Sequence, residues 1–150
     1  MSFKLSQRSL DKLEGVHPDM VKCVKSAIEY TKVDFGVICG MRTEAEQREL
    51  VDKGASQTMA SKHLEGLAVD LMAYVGSRAS WELNLYDDIA DAIKKACINQ
   101  SKQVTWGAAW HKKLNEWSGT SEELMNSYID LRRSEGRRPF IDGPHFQLEI

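Results

Sequence analysis

The chain lacks a long apolar run. Nowhere in its 150 residues is there the stretch of about 20 apolar residues that a membrane-spanning helix requires, so stable membrane insertion is not expected. No apolar segment of signal-peptide length opens it, which predicts synthesis in the cytoplasm without Sec export. It also lacks a charge excess. Twenty basic side chains face 22 acidic ones, for a net charge of −2, which excludes a global electrostatic case for nucleic acid. Cysteine is scarce and odd in number, at positions 23, 39 and 97, and this argues against a disulfide framework. Cys23 and Cys97 fall on apolar stripes of predicted helices and Cys39 ends a predicted strand. All three read as small buried hydrophobes kept reduced. Repeats, low-complexity tracts and long linkers are absent as well. A chain of this length can bury most of its apolar surface as one domain over residues 1–150.

What is present is concentrated in two short segments. The first is Ser61-Lys62-His63-Leu64-Glu65-Gly66-Leu67-Ala68-Val69-Asp70, the second Asp142-Gly143-Pro144-His145. Together they offer two imidazoles and a carboxylate, with a second carboxylate three residues before the last histidine. Two histidines and one aspartate leave a fourth position open on a tetrahedral Zn²⁺, which is the pattern of a catalytic rather than a structural site. His63 and Asp70 are too far apart for the paired-histidine helix of H-E-x-x-H enzymes. Gly66 between them permits a sharp bend or a close backbone approach.

Periodicity places these residues on strand ends. Leu67 to Met72 reads as a strand with Ala68, Asp70 and Met72 on one face and Leu67, Val69 and Leu71 on the other. His145 to Ile150 alternates strictly, with His145, Gln147 and Glu149 on one face and Phe146, Leu148 and Ile150 toward the core. An aspartate within an apolar strand asks for a partner, because burying a lone carboxylate is costly. Elsewhere, Pro18 to Thr31 is predicted helical from Val21, Val24 and Ile28 with proline in the first turn. Phe35 to Cys39 and Gln103 to Trp106 read as strands. Thr43-Glu44-Ala45-Glu46 is a capping box that starts a helix just after Arg42. Gly54 to Lys62 is a polar loop, Ser80 is expected to cap a helix from Trp81 to about Asn99, and Ser121 to Ser134 is helical. The sum is α+β, a small, mostly antiparallel sheet flanked by helices, with the metal site at strand ends.

The spacing S-x-H-x-x-G-x-A-x-D followed by a short D-x-x-H resembles the M15 family of zinc peptidases, with its D-Ala-D-Ala carboxypeptidases, dipeptidases and phage L-alanyl-D-glutamate endopeptidases. The phage endolysin branch is the most similar. Met1-Ser2-Phe3-Lys4, Phe35-Gly36-Val37-Ile38-Cys39-Gly40-Met41-Arg42-Thr43 and Asp142-Gly143-Pro144-His145 carry that likeness. The resemblance implies a fold of the Hedgehog and DD-peptidase type and one Zn²⁺ per chain on His63, Asp70 and His145. It implies Asp142 as catalytic base, Arg42 on the substrate or the developing oxyanion, and Ser61 lining the site. The implied substrate is the stem peptide of bacterial peptidoglycan, cut between L-alanine and D-glutamate by a monomeric enzyme. A cytoplasmic endolysin would reach the wall after a separate membrane-permeabilising protein acts. The carboxypeptidase and dipeptidase branches usually place glutamate where Asp142 stands, which favours the endolysin branch. The chain departs from a W-G-x-D-W pattern, having Trp106-Gly107-Ala108-Ala109-Trp110. D-Ala-D-Ala carboxypeptidase activity is the alternative within the enzyme class. A zinc-stabilised peptide-binding module is the alternative outside it.

Other residues are weighed against plainer roles. His111 reads as a surface residue and His17 as a loop residue. Glu65, two residues after a ligand, reads as solvated or supporting. Trp106, Trp110 and Trp117 are either packing residues or a platform for glycan or peptide. Arg132-Arg133 and Arg137-Arg138 are read first as a solvated helix face, and second as an attractor for an anionic wall polymer.

Overall fold

The computed structural model describes residues 3–56 and 58–149. Among them are five helices and five strands. The helices are α1 (Gln7–Lys12), α2 (Pro18–Tyr30), α3 (Glu44–Asp52), α4 (Leu83–Asn99) and α5 (Ser121–Ser134). The strands are β1 (Asp34–Cys39), β2 (Ala68–Val75), β3 (Arg78–Ser80), β4 (Gln103–Trp106) and β5 (His145–Glu149). The sheet runs β1-β2-β5-β4, with β3 also on β2, and every pairing is antiparallel. One edge of β2 is shared. Its first half bonds β5, from Ala68 opposite Gln147 to Asp70 opposite His145, and its second half bonds β3, from Ala73 opposite Ser80 to Val75 opposite Arg78.

The helices form for reasons visible along the chain. In α2, Met20, Cys23, Val24, Ala27 and Ile28 recur at three- and four-residue spacing and are all buried, which is one apolar stripe. Pro18 sits in its first turn, where a missing N–H costs nothing. Helix α4 repeats the pattern with Tyr86, Ile89, Ala90, Ile93, Ala96 and Cys97. The two stripes meet, bringing the Sγ atoms of Cys23 and Cys97 to 3.2 Å, and both helices pack on the sheet. The predicted capping box of α3 is present, with Thr43 and Glu46 each bonding the other's backbone N–H. An equivalent box of Thr120 and Glu123 opens α5.

Some boundaries differ from expectation. Ser80 does not cap α4. It ends β3, and its hydroxyl accepts instead from the N–H of Glu82, so the helix starts at Leu83. The pull of sheet pairing on Arg78–Ser80 outweighs a capping role that sequence alone suggested. Helix α1 and strand β3 carry too few periodic residues to be foreseen. Strand β2 does not show half-solvated alternation, because Ala68, Val69, Leu71 and Ala73 are all buried and both its faces are covered. On β5, Phe146 and Leu148 are fully buried as expected, while Ile150 lies outside the described residues.

Candidate active site

Asp70 is the centre of the site, and the register of three strands explains why. On β1 its cross-strand partner is Cys39, and on β5 it is His145. A bulge between Val37 and Cys39 shifts β1 by one residue, which puts Cys39 rather than Ile38 beside Asp70. His63 arrives from a one-turn 3-10 helix, Lys62–Glu65. Ser61 caps that turn, its Oγ accepting from the N–H of His63 at 3.2 Å. Gly66 ends it with φ at 71°. A Cβ at Gly66 would also lie 2.7 Å from the carbonyl oxygen of Gly15, so the motif glycine serves both the bend and the close approach. The carbonyl of His63 accepts from the N–H of Arg42 at 3.0 Å, which ties the turn to the junction between β1 and α3.

The two imidazoles converge on one oxygen. His63 Nε2 lies 3.3 Å and His145 Nδ1 3.2 Å from Asp70 Oδ1. Their remaining nitrogens are committed elsewhere. His63 Nδ1 is 2.7 Å from the carbonyl of Gly40, and a carbonyl can only accept, so Nδ1 carries the proton. His145 Nε2 is 2.9 Å from Gln147 Oε1. The amide of Gln147 is oriented by its own Nε2, which donates to Glu149 Oε1 at 2.9 Å. Each ring is therefore held from behind, as ligating histidines are, with its other nitrogen aimed at Asp70.

The charge balance asks for a cation at this point. Burial opposes a charged His63, but the Asp70 carboxylate and Cys39 outweigh it and raise the imidazole to about 9. Burial likewise opposes a charged Asp70, yet hydrogen bonds from His145 and His63 hold it well below the usual carboxylate range. A proton can supply the positive charge between ring and carboxylate, and so can a metal ion that displaces it. A tetrahedral zinc with N and O ligands at about 2.0–2.1 Å sets neighbouring donors about 3.3 Å apart, which each histidine's distance from Asp70 matches. The donor groups within 4.8 Å of one another are Cys39, His63 and Asp70 on one side and Asp70, Asp142 and His145 on the other, so the two imidazoles would have to close on a shared ion.

Asp142 stands beside this trio. Ligand atoms of Asp70, Asp142 and His145 all lie within 4.8 Å of one another. Burial raises the pKa of Asp142, and the charge of Asp70 raises it further, against the pull of His145, His63 and Arg42. Its loop is clamped at several points. The N–H of Asp142 donates to Gly107 O at 2.8 Å, the N–H of Gly107 to His145 O at 2.7 Å, and the N–H of Leu71 to Pro144 O at 2.9 Å. Trp106 Nε1 donates to Gly143 O at 2.7 Å. Arg42 reaches the same carboxylate from the other side, with Nη2 3.4 Å from Asp70 Oδ2. Its Nη1 donates to Gln47 Oε1 at 3.1 Å. Gln47, fully buried on α3, donates in turn to Ser56 Oγ and the Thr58 carbonyl.

All the residues singled out in the two motifs are thus brought together, with Ser61 in the capping role and Glu65 exposed, paired with Lys62. Cys39 corrects the expectation of a buried hydrophobe. It is half-buried, with Sγ 3.8 Å from His63 Nδ1, on the ring edge away from Nε2. Trp106 is fully buried and braces the Asp142 loop, so the three tryptophans do not form one platform. Trp110 packs against His145, with ring centroids 5.4 Å apart. His17 caps α2 through Nδ1. His111 is half-buried, paired with Ser127 of α5. The arginines are partly structural, since Arg132 donates to the carbonyl of Arg138 and Arg137 pairs with Glu135. Sequence reasoning missed Gln47, the Gly40 carbonyl and Gln147. Only Gln147 carried a usable signal, being on the same strand face as His145.

Two imidazoles and two carboxylates gathered at strand ends are a donor set that a metal-dependent hydrolase could use. The comparisons narrow this further. A sequence model described as phage L-alanyl-D-glutamate peptidase matches residues 1–149, and the chain belongs to that family. It is 29% identical to the L-alanyl-D-glutamate peptidase of Escherichia phage T5, with 99% of both chains aligned. It is 30% identical to that of Listeria phage A118 over 72% of this chain and 28% of that longer protein. The crystal structure of a Serratia marcescens L-Ala D-Glu endopeptidase superposes with a TM-score of 0.72 at 36% identity, covering 99% of this chain and 91% of that one.

Proposed function

We propose that residues 1–150 act as one catalytic unit, a zinc-dependent L-alanyl-D-glutamate peptidase that cuts the stem peptide of bacterial peptidoglycan. The carrying observation is the convergence of His63 Nε2 and His145 Nδ1 on Asp70 Oδ1, at 3.3 and 3.2 Å, with Asp142 alongside. His63, Asp70 and His145 hold one zinc, and the chemistry it supplies when bound is Lewis acidity toward a carbonyl oxygen and toward water. Asp142 takes the proton of the attacking water and passes it to the leaving amine, a task that suits a carboxyl with a raised pKa. Arg42 steadies Asp70 and turns its remaining donors to the oxyanion or to a substrate carboxylate. Ser61 borders the cleft beside His63.

No described helix is long and apolar enough to cross a membrane. In this reading the protein works as a monomer and reaches the wall once a separate permeabilising protein opens the membrane. The test is zinc content together with the peptides released from purified sacculi. The wild-type protein should hold one zinc, lose activity to a chelator, and release fragments with new L-alanine C-termini and D-glutamate N-termini. The His63→Ala/His145→Ala protein should hold no stoichiometric zinc. A double variant that keeps its zinc, or fragments cut at D-Ala-D-Ala, would remove this reading.

A further inference from the structure

A cavity of about 370 Å³ has Asp142, but neither histidine, in its lining. Its walls are Trp81, Leu83, Tyr86, Ile141, Asp142 and Pro144. Two properties set it apart. It shares Asp142 with the proposed catalytic centre, so an occupant would lie beside that centre. And it carries an aromatic face in water: Trp81 is 63% exposed, although an indole of that size usually finds cover. Trp81 is also held in place. It stacks on Tyr86, with ring centroids 6.5 Å apart and planes 12° from parallel. Tyr86 is buried and fixed, its hydroxyl donating to Ser80 O at 2.8 Å and accepting from the N–H of Ala73 at 3.1 Å. The wall at Gly143 is tight, since a Cβ there would lie 3.1 Å from Leu83 Cδ1. A fixed, exposed indole over an apolar floor, with a carboxylate at the rim, is built to receive a flat ligand with polar edges.

We propose that this cavity is a sugar subsite, which takes the pyranose ring of the muramyl unit that bears the stem peptide. The inference rests on the peptidase reading above and deepens it. Other parts of the substrate fit less well. The L-alanine methyl is too small to fill the space, D-glutamate is charged, and the diamino acid beyond it carries an ammonium that favours water. A pyranose presents C–H groups on its faces, which pack on the negative face of an aromatic ring, while its hydroxyls stay at the edge. Asp142 can accept from one of them. The reach agrees. One alanine and a lactyl link separate the scissile carbonyl from the ring, roughly 7 Å at about 3.3–3.6 Å per residue.

Two soluble substrates test this, a muramyl peptide and the identical peptide without its sugar. The quantity read is the ratio of kcat/KM values for the pair, in which any general loss of activity cancels. The wild-type enzyme should prefer the muramyl peptide by at least ~10-fold, about 1.4 kcal/mol. Trp81→Ala should bring the ratio close to one, and Trp81→Tyr should keep most of the preference by retaining a flat ring. A wild-type ratio near one, or a ratio unchanged in Trp81→Ala, overturns the subsite. Neither outcome touches the peptidase reading, which stands on cleavage of the free peptide.

Discussion

At the residue scale, Asp142 and Asp70 are chemically alike but sit in opposite environments. Asp70 is drawn down by two imidazoles, and Asp142 is pushed up by burial and by Asp70 itself. A base must be ionised to accept a proton, so activity should fall as pH drops through the Asp142 pKa. A pH profile of kcat/KM checks this. Asp142→Asn should keep zinc and fold but lose at least ~10²-fold in turnover; near-native turnover would strike Asp142 from the mechanism. Asp70 stood out because a carboxylate is rare in an apolar strand, and His63, Asp142 and His145 because they occupy two short motifs. Gln47 did not, since a glutamine on a helix carries no mark until its neighbours are known. What makes it matter is that Arg42, Ser56 and Thr58 surround it.

At the scale of elements, the end of β4 decides how well Asp142, the proposed base, is placed. Gly107 exchanges backbone hydrogen bonds with Asp142 and His145, and a Cβ there would lie 2.2 Å from the Asp142 carbonyl oxygen and 2.9 Å from His145 Cβ. Backbone cannot yield cheaply at that distance. Gly107→Ala should therefore shift the loop and lower kcat by at least ~10-fold, since small misplacements near reacting groups are costly. Activity and zinc content measured on one preparation read out the effect, and native kcat would show the loop to be pliant. Helix α5, whose purpose the sequence left open, braces the same loop. Its Tyr128 hydroxyl accepts from the N–H of Phe140 at 3.2 Å, two residues before Asp142. Strongly periodic helices and β4 were readable within a residue or so. Helix α1 and strand β3 were not, because a single turn and a three-residue strand form only through tertiary contact.

At the scale of the whole molecule, stability carries a pH signature of its own. Asp87 on α4 is buried, and among the described residues its Oδ1 meets no donor. Burial, then Glu122, Asp88 and Asp91, raise it to about 6. A carboxyl raised in the fold favours the folded state while protonated, so that contribution is present below about pH 4 and lost as pH rises through about 6. Asp87→Asn should raise Tm at pH 7.5 and change it little at pH 4. Thermal melts at the two pH values decide, and an equal effect at both would show that charge is not the cause. Topology was the least legible feature overall. Strand periods reveal faces, but nothing in them says that β5 inserts between β2 and β4.

That insertion has a consequence in time. The strand that fills the middle of the sheet follows the other four in the chain, 75 to 79 positions after the β2 residues it bonds, from Ala68–Asp70 to His145–Gln147. Until it arrives, β2 and β4 have no common neighbour and the proposed metal trio is one member short. A growing chain, or one cut between residues 71 and 144, holds His63 and Asp70 but lacks His145. On the proposed reading, peptidase activity would be withheld from a chain that has not yet added β5.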